Sequence, residues 1–376
     1  MIFTQNKKYL FFSLVFFSTL FFYNCKSTKT ESNTLIEEPA AELIEEESIL
    51  PLENKKELTL LFAGDIMAHS VNYRISDYSK IWRDVQYLIE PADLAFGNIE
   101  APIDTTQETQ NYPNFNMSLE YVQAAIDAGF DVFSLCNNHT NDQNLNGIKE
   151  TEKTVNNLIE TAKTQNHDIY FSGLKKDKTA PFSYNYFEKD GWKILFLPVT
   201  EILNRPICVD NINYLEPSSK ARNQFIETVK KLRQENPCDL FIISVHACDA
   251  EYTRVIPKSQ NQFYMDLLDA GIDIVWANHA HIIKDRKYIM NTETQNMKVI
   301  MYANGNTISG QRTSPMLKSE NPIGERDNTG DGLLYRVTFT KDEAKMILQE
   351  IGIINEIGEV AEQYKNIIKY ISYYYP

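Results

Sequence analysis

Short apolar runs and longer stretches of helical spacing alternate through the middle of the chain. The apolar runs, which predict buried strands, cover residues 58–65, 93–100, 131–136, 169–172, 240–245 and 273–277. Between several of them, apolar residues recur at helical spacing, and these segments predict helices over 79–89, 118–128, 147–163, 218–234 and 259–270. Strand followed by helix at this cadence is typical of a mostly parallel sheet with helical crossovers.

Antiparallel hairpins are expected in three further places. One joins residues 182–187 to 192–199, and two others turn at residues 291–296 and 341–343. Residues 309–331 form a polar segment rich in Gly and Pro, and a loop of that length is usually functional or mobile. The pattern therefore predicts one domain over residues 58–355, followed by a C-terminal helix over residues 356–376.

The N-terminus has the order of an export signal. Lys7 and Lys8 precede an apolar run over residues 9–23, which is short for a membrane span. Asn24 and Cys25 follow the run, so residues 1–25 resemble a bacterial lipoprotein signal in which this cysteine is lipidated. Large residues stand before Cys25 where small ones are usual, so an ordinary signal peptide or an uncleaved anchor remains open. Each of these alternatives places the domain outside the cytoplasm, and the first attaches it to the membrane.

The segment that follows the signal is much more acidic than the domain. The chain has a net charge of −14, and nine Glu fall within residues 31–57. Residues 26–57 are therefore expected to form an acidic, flexible tether. The acidic balance argues against nucleic acid as a partner, because a phosphate backbone requires a basic surface.

Four cysteines lie beyond the signal, at positions 136, 208, 238 and 248. Cys238 and Cys248 flank a predicted strand of about 33 Å, whereas a disulfide allows about 7 Å between Cα atoms. That pair is therefore excluded, while other pairings remain open. Buried free thiols are the expectation.

Polar residues follow the predicted strands where each strand ends. They are Asp65, Asn98 and Glu100, Asn138, His139 and Asp142, His246, and His279 and His281. Parallel strands bring their carboxyl ends to one edge, so these side chains are expected to converge. Five of the six histidines lie at or just beyond strand ends, whereas structural histidines would be scattered. Carboxylate, amide and imidazole together suit Zn²⁺, Mn²⁺ or Fe.

These motifs, taken in order, resemble the CapA family of capsule synthesis proteins. The similarity rests on Gly-Asp65, Asn-Ile-Glu100, Asn138-His139-x-x-Asp142, His246 followed by Glu251-Tyr252, and His279-Ala-His281. It also includes Asp269-Ala-Gly-Ile-Asp273 and the run from Tyr302 to Asn306, and it covers about residues 58–351. The family belongs to the calcineurin-like metallophosphatase superfamily. The resemblance therefore implies an α/β fold, a four-layer α/β/β/α sandwich of two mixed sheets flanked by helices.

The resemblance also implies a dinuclear metal site. In it Asp65 and His281 would hold the first divalent metal, Glu100 would bridge both, and Asn138, His246 and His279 would hold the second. His139, oriented by Asp142, would be the general acid.

One departure bears on the first metal. The superfamily places His two residues after the first Asp, but Met67 stands there, so the first site should be weaker. His69 could substitute or line the mouth of the site. Asn98, Glu251 and Tyr252 are possible extra ligands or lining residues, and Cys248 is a possible soft ligand.

Three functions are compatible with these residues. The first is a metal-dependent hydrolase acting on a phosphoester or an amide, in the context of capsule or poly-γ-glutamate synthesis. The second is a non-catalytic envelope factor that binds an anionic polymer within a capsule-synthesis complex; Arg254, Arg312 and Arg326 would then pair with its anionic groups unless they are solvated. The third is a structural relic. The sequence alone does not select the substrate.

Overall fold

The computed structural model describes residues 56–290, 297–312, 326–341, 345–356, 359–362 and 367–372. The predicted signal, the lipidation site Cys25 and the tether up to residue 55 lie outside the described residues and stay predictions. Among the helices of the described part, none is both long and apolar enough to cross a membrane.

The first sheet combines a parallel half and an antiparallel half. Its parallel strands are β1 (Glu57–Ile66), β2 (Leu94–Ile99), β3 (Val132–Ser134) and β4 (Tyr170–Ser172). Its other strands are β11 (Asn306–Ile308), β12 (Asp331–Thr340), β13 (Lys345–Glu356), β14 (Glu359–Glu362) and β15 (Ile367–Ser372). The order is β14-β13-β12-β1-β2-β3-β4, with β11 parallel to β1 and β15 antiparallel to β13.

The second sheet has a parallel centre and antiparallel edges. Its strands are β5 (Asn185–Lys189), β6 (Trp192–Thr200), β7 (Leu240–His246), β8 (Ile274–Asn278), β9 (Arg286–Met290) and β10 (Met297–Met301). They are arranged in the order β5-β6-β7-β8-β10-β9. The inner four strands are parallel, as the alternation of apolar runs and helices predicts.

Helices cover the outer face of each sheet. They are α1 (Ser70–Tyr73), α2 (Ser79–Trp82), α3 (Gln86–Ile89), α4 (Leu119–Asp127), α5 (Asn144–Thr164), α6 (Ser219–Glu235) and α7 (Lys258–Asp269). Helices α2 to α5 pack on the first sheet and α6 and α7 on the second, while a third apolar core lies between the sheets. The expected fold, two mixed sheets flanked by helices, is confirmed.

Two helix predictions were wrong. Residues 79–89 form two short helices, because the backbone at Val85 has φ −127° and leaves the helical region. The helix expected over 356–376 is replaced, in the described residues, by strands β14 and β15. The sequence Ile-Ile-Lys-Tyr-Ile-Ser of β15 is rich in β-branched and aromatic residues, which favour a strand paired with β13.

The four cysteines beyond the signal are free thiols, as expected. Cys136 is buried, Cys208 and Cys238 are half-buried, and Cys248 is exposed. The expectation of buried thiols is therefore confirmed for Cys136, met only in part for Cys208 and Cys238, and wrong for Cys248 in the loop that follows β7.

Strand β1 changes partners just before its polar end. Its first half pairs antiparallel with β12, and from Asp65 it pairs parallel with β11. The register with β2 shifts between Phe62 and Asp65, where Gly64 passes the backbone of Gly305 so closely that a Cβ would lie 1.8 Å from its carbonyl oxygen. The carbonyl of Ala63 accepts the indole N–H of Trp276 at 2.8 Å. This hydrogen bond joins the two sheets just below the polar ends of the strands.

Replacing Trp276 with Phe should destabilise the fold more than the same substitution at Trp82. Both indoles are about 1% exposed or less, but Nε1 of Trp82 has no hydrogen-bond partner among the described residues. The difference should be about 1 kcal/mol, since only Trp276→Phe removes a buried hydrogen bond. Denaturant unfolding of both variants measures it, and equal losses would contradict a role for the Trp276–Ala63 bond.

Candidate metal centre

The polar ends of five strands meet at one edge of the two sheets. Asp65 comes from β1, Glu100 follows β2, and Asn138 follows β3, all in the first sheet. His246 ends β7, and His279 and His281 follow β8 in the second sheet. All of these side chains are buried. The convergence that the sequence predicts is therefore present, and it draws on both sheets.

One group of candidate ligands consists of Asp65, Glu100 and His246. One carboxylate oxygen or imidazole nitrogen from each residue lies within 4.8 Å of the other two. Oε1 of Glu100 is 3.8 Å from Nε2 of His246 and 3.8 Å from Nε2 of His281. These separations exceed a hydrogen bond, so the side chains face one another across a gap. A cation between them would be within reach of carboxylate and imidazole together.

A second group consists of Glu251, His279 and His281, again within 4.8 Å. Nε2 of His279 is 3.9 Å from Oε1 of Glu251, and Nδ1 of His281 is 3.3 Å from Oδ2 of Asp65. His281 therefore links the two groups. His279 and His281 both have positive φ, at 95° and 57°, a conformation that non-glycine residues adopt at a cost of about 1–3 kcal/mol and that clusters at functional sites.

Unpartnered buried atoms indicate that a cation fits here. Oε1 of Glu100, Nδ1 of His246 and Nδ1 of His279 are buried without a hydrogen-bond partner in the described part of the chain. Such atoms are costly to bury alone. A mixed carboxylate and imidazole donor set is the kind that Zn²⁺, Mn²⁺ and Fe accept. The residues thus fit one or more divalent metals.

Burial sets the protonation states of these groups. It raises the pKa of Glu100, and the carboxylate of Asp65 raises it further. Burial lowers the pKa of His246, and it lowers the pKa of His279 to about 3, so both imidazoles are neutral at pH 7. Burial alone would lower the pKa of His281, but its hydrogen bond to Asp65 and the charge of Asp65 raise it. Neutral imidazoles are the form that binds metal.

Asn138 and Asn98 support this group in different ways. Oδ1 of Asn138 is 2.7 Å from Nε2 of His246, so its oxygen faces the same gap. Nδ2 of Asn98 donates to Asp65 at 2.8 Å and to Glu100 at 3.5 Å. Since its amide nitrogen is directed at the carboxylates, Asn98 holds ligands in place and does not itself face the gap as a donor oxygen.

The predicted acid and its orienting carboxylate form a buried pair. Nδ1 of His139 lies 2.7 Å from Oδ2 of Asp142, and the two side chains are 5% and 1% exposed. The same Oδ2 accepts the backbone N–H of Phe115 at 2.8 Å, which fixes the carboxylate. With Nδ1 bonded to Asp142, Nε2 is the nitrogen left for a reacting group.

Other residues named by the sequence lie around the site. His69 packs against Phe115 at 4.9 Å between ring centres and belongs to neither ligand group, so it lines the site. Its burial lowers its pKa to about 3. Tyr252 stacks on His281 at 6.2 Å. Cys248 belongs to neither ligand group in the described residues.

Two arginines are described near the long polar segment and the β7 loop. Arg312 forms an ion pair with Asp331 at 3.2 Å, and Arg254 also has a partner. The side chain of Arg326 lies outside the described residues.

The division of ligands between two metals stays a prediction. The resemblance assigns His279 with His246 and Asn138, and His281 with Asp65. In the structure His281 is close to both carboxylates, and Glu251 joins His279 as a candidate ligand. Glu251 was foreseen only as an extra ligand or lining residue.

Sequence reasoning missed two asparagines. Oδ1 of Asn306 bonds Nδ1 of His281 at 2.9 Å and so orients that imidazole; its place in the run from Tyr302 to Asn306 was the available signal. Asn204 contacts both Asn138 and His139. It lies in an irregular segment after β6, where no periodicity or motif marks it.

Fold and site together define a two-sheet α/β protein with a buried candidate metal centre. The chain belongs to the bacterial capsule synthesis protein PGA_cap family, whose model matches residues 59–311.

Two curated relatives carry CapA names. The capsule biosynthesis protein CapA of Bacillus anthracis is 24% identical over 282 residues, which are 70% of this chain and 63% of that protein. The PGA biosynthesis protein CapA of Bacillus subtilis (strain 168) is 26% identical over 262 residues, 68% of this chain and 64% of the relative. The chain thus spans somewhat less than two thirds of each relative's length.

Two solved structures are similar to this chain at lower sequence identity. A hypothetical protein from Thermus thermophilus matches with a TM-score of 0.42 and 15% identity, covering 83% of this chain and 99% of that one. The calcineurin-like phosphoesterase YfkN from Bacillus subtilis matches with a TM-score of 0.40 and 13% identity, covering 84% and 90%.

Replacing His279 with Ala should remove bound metal. A chain starting near Glu57, purified without chelator, is expected to carry about one or two equivalents of Mn, Fe or Zn by elemental analysis. His167→Ala is the matched control, because His167 pairs with Asp131 on a part-exposed surface outside both ligand groups. Wild-type protein that stays folded and metal-free after metal is offered would contradict the site.

Proposed function

We propose that this chain is a metal-dependent hydrolase that acts on a phosphoester in the cell envelope, in capsule or poly-γ-glutamate synthesis. The observation that carries the proposal is the buried His139–Asp142 pair, which directly follows Asn138 in the candidate ligand set. A site built only to hold a metal does not need an imidazole beside it that a buried carboxylate orients through Nδ1. Membership of the capsule synthesis family supports the biological setting.

The residues that would hold metal are Asp65, Glu100, Asn138, His246, His279 and His281, with Glu251 beside the last two. Bound divalent metal would supply Lewis-acid chemistry, polarising a phosphoryl oxygen and making water a better nucleophile. Oε1 of Glu100 is 3.8 Å from Nε2 of both His246 and His281, which supports Glu100 as the ligand that two bound metals would share. Met67 gives no imidazole where the superfamily has one, so we expect unequal affinities for the two metals.

His139 would protonate the leaving oxygen. Its Nδ1–H donates to Asp142, which holds the ring in one orientation and stabilises a positive charge on it. A proton on Nε2 would pass to the oxygen of the departing group as the bond to phosphorus breaks. Phe115 closes one side of the ring at 4.7 Å between ring centres, limiting the water that competes for that proton.

His139→Ala should lower turnover by about 10²-fold or more, because general acid catalysis typically contributes that much. With Mn²⁺ added in excess, metal content should stay near that of the wild type, since His139 belongs to neither ligand group. A phosphodiester and phosphomonoester screen with added Mn²⁺ measures turnover. His167→Ala, the same change at another His–Asp pair, is the control and should keep full turnover. Full turnover in His139→Ala would contradict the assigned role.

A second function is favoured by one observation. Met67 is 1% exposed and occupies the position of a missing metal ligand, which suits a centre that binds without turnover. In this case the chain would bind an anionic polymer through its metal centre within a capsule-synthesis complex. Immobilised polyglutamate should then retain the wild-type chain and His139→Ala, and release both on chelation, while His279→Ala is not retained. Absence of retention in every case would exclude this function.

Export and attachment to the membrane through Cys25 are part of the proposal. They are supported by the order of Lys7 and Lys8, the apolar run and the cysteine. Detergent partitioning of the full chain and of its Cys25→Ala variant tests them, and identical partitioning into the aqueous phase would exclude the lipid anchor.

A further inference from the structure

A short strap from the irregular segment after β6 covers the turn that carries Asn138 and His139. The strap consists of residues 204–207. The backbone N–H of Asn204 donates to the carbonyl of Asn138 at 3.0 Å. Asn141 donates to the carbonyls of Arg205 and Ile207 at 2.8 and 2.7 Å, and Arg205 donates to the carbonyl of Asp142 at 2.7 Å. These bonds fix the strap on the turn independently of the Asn204 side chain.

The side chain of Asn204 lies over the ring of His139. Its Nδ2 is 3.2 Å from Nδ1 and 3.3 Å from Nε2 of that imidazole. A nitrogen this close to both ring nitrogens in the ring plane would overlap Cε1, so the amide lies above the ring face. When the imidazole is neutral, an amide N–H is favourable over its electron-rich face, whereas an amide oxygen there is repelled. His139 therefore determines which end of the Asn204 amide faces it.

The other end of the same amide faces Asn138. Oδ1 of Asn204 accepts a hydrogen bond from Nδ2 of Asn138 at 3.2 Å. An asparagine amide has two ends of nearly equal shape, and only the oxygen can bind a metal. With its nitrogen committed to Asn204, Asn138 presents its oxygen to His246 and to the gap between the sheets.

We infer that Asn204 is a positioning residue that orients the amide of Asn138, so that Oδ1 and not Nδ2 faces the metal centre. This inference rests on the proposed metal site. Asp142 orients the ring of His139, and that ring orients the amide of Asn204. Asn204 in turn orients the amide of Asn138. The ring proposed to protonate the leaving group thus also fixes the orientation of a ligand.

Asn204→Ala tests the inference with little risk to folding, because Asn204 is exposed and its backbone bond to Asn138 remains. Affinity for Mn²⁺ is measured by calorimetric titration of metal-free protein, without any activity assay. We expect a loss of about tenfold or more, the effect usual for a residue that orients a ligand. Arg205→Ala is the matched control, since it removes another bond of the strap without touching the Asn138 amide, and its affinity should stay within about twofold.

The decisive variant is Asn138→Asp. A carboxylate has two equivalent oxygens and needs no partner to choose between them, so Asn204→Ala should lose its effect in that background. An Asn204→Ala loss that is the same in both backgrounds, or absent in the wild-type background, would overturn the inference while leaving the metal site intact. A wild-type chain that binds no Mn²⁺ would overturn the proposed function and this inference together. Thermal unfolding of each variant confirms that the affinities refer to folded protein.

Discussion

The candidate centre depends on how the two sheets are held against each other. Asp65, Glu100 and Asn138 come from one sheet, and His246, His279 and His281 come from the other, so the full set of candidate ligands forms only when both sheets are in place. The bond from Trp276 to the carbonyl of Ala63 fixes this relation at two residues' distance from Asp65. It exists because the register shift in β1 frees that carbonyl from the ladder with its neighbours. A sliding of either sheet by one residue would separate carboxylates from imidazoles.

Without a bound cation, the buried ionisable side chains of the centre destabilise the folded state. Two carboxylates and three imidazoles share a volume shielded from solvent, and desolvation of each charge is costly. The chain offsets part of this with neutral donors: Asn98 donates to both carboxylates, and Asn306 bonds His281. Amides suit this task because they form hydrogen bonds with buried groups without adding charge. A bound cation would then balance the remaining negative charge of the carboxylates.

Much of the fold follows from local pattern, and the failures have physical causes. Apolar runs ending in polar residues located the site strands, and the helix predicted over 118–128 begins where the Ser118 side chain accepts the N–H of Tyr121. The helix predicted over 79–89 is interrupted at Val85, whose φ of −127° is not visible in the spacing of apolar residues. The C-terminal strands were missed because their pairing with β13 is not visible in local spacing. Asn204 could not be found, since its role comes from a contact across 66 positions with Asn138.

The change of partners in β1 also determines when the centre can form during synthesis. The N-terminal half of β1 pairs with β12 and its polar end with β11, so strands from about 240 to 280 residues later complete the edge of β1 that faces away from β2. A growing chain that has released only its first half can form helices and β1–β2–β3 pairing, but it has neither His246 nor the pair at 279 and 281. Capture of metal at the candidate centre would therefore be a late event that requires completion of the whole domain. A chain truncated before residue 306 would have β1 exposed along one edge, and such an edge is open to pairing with other chains.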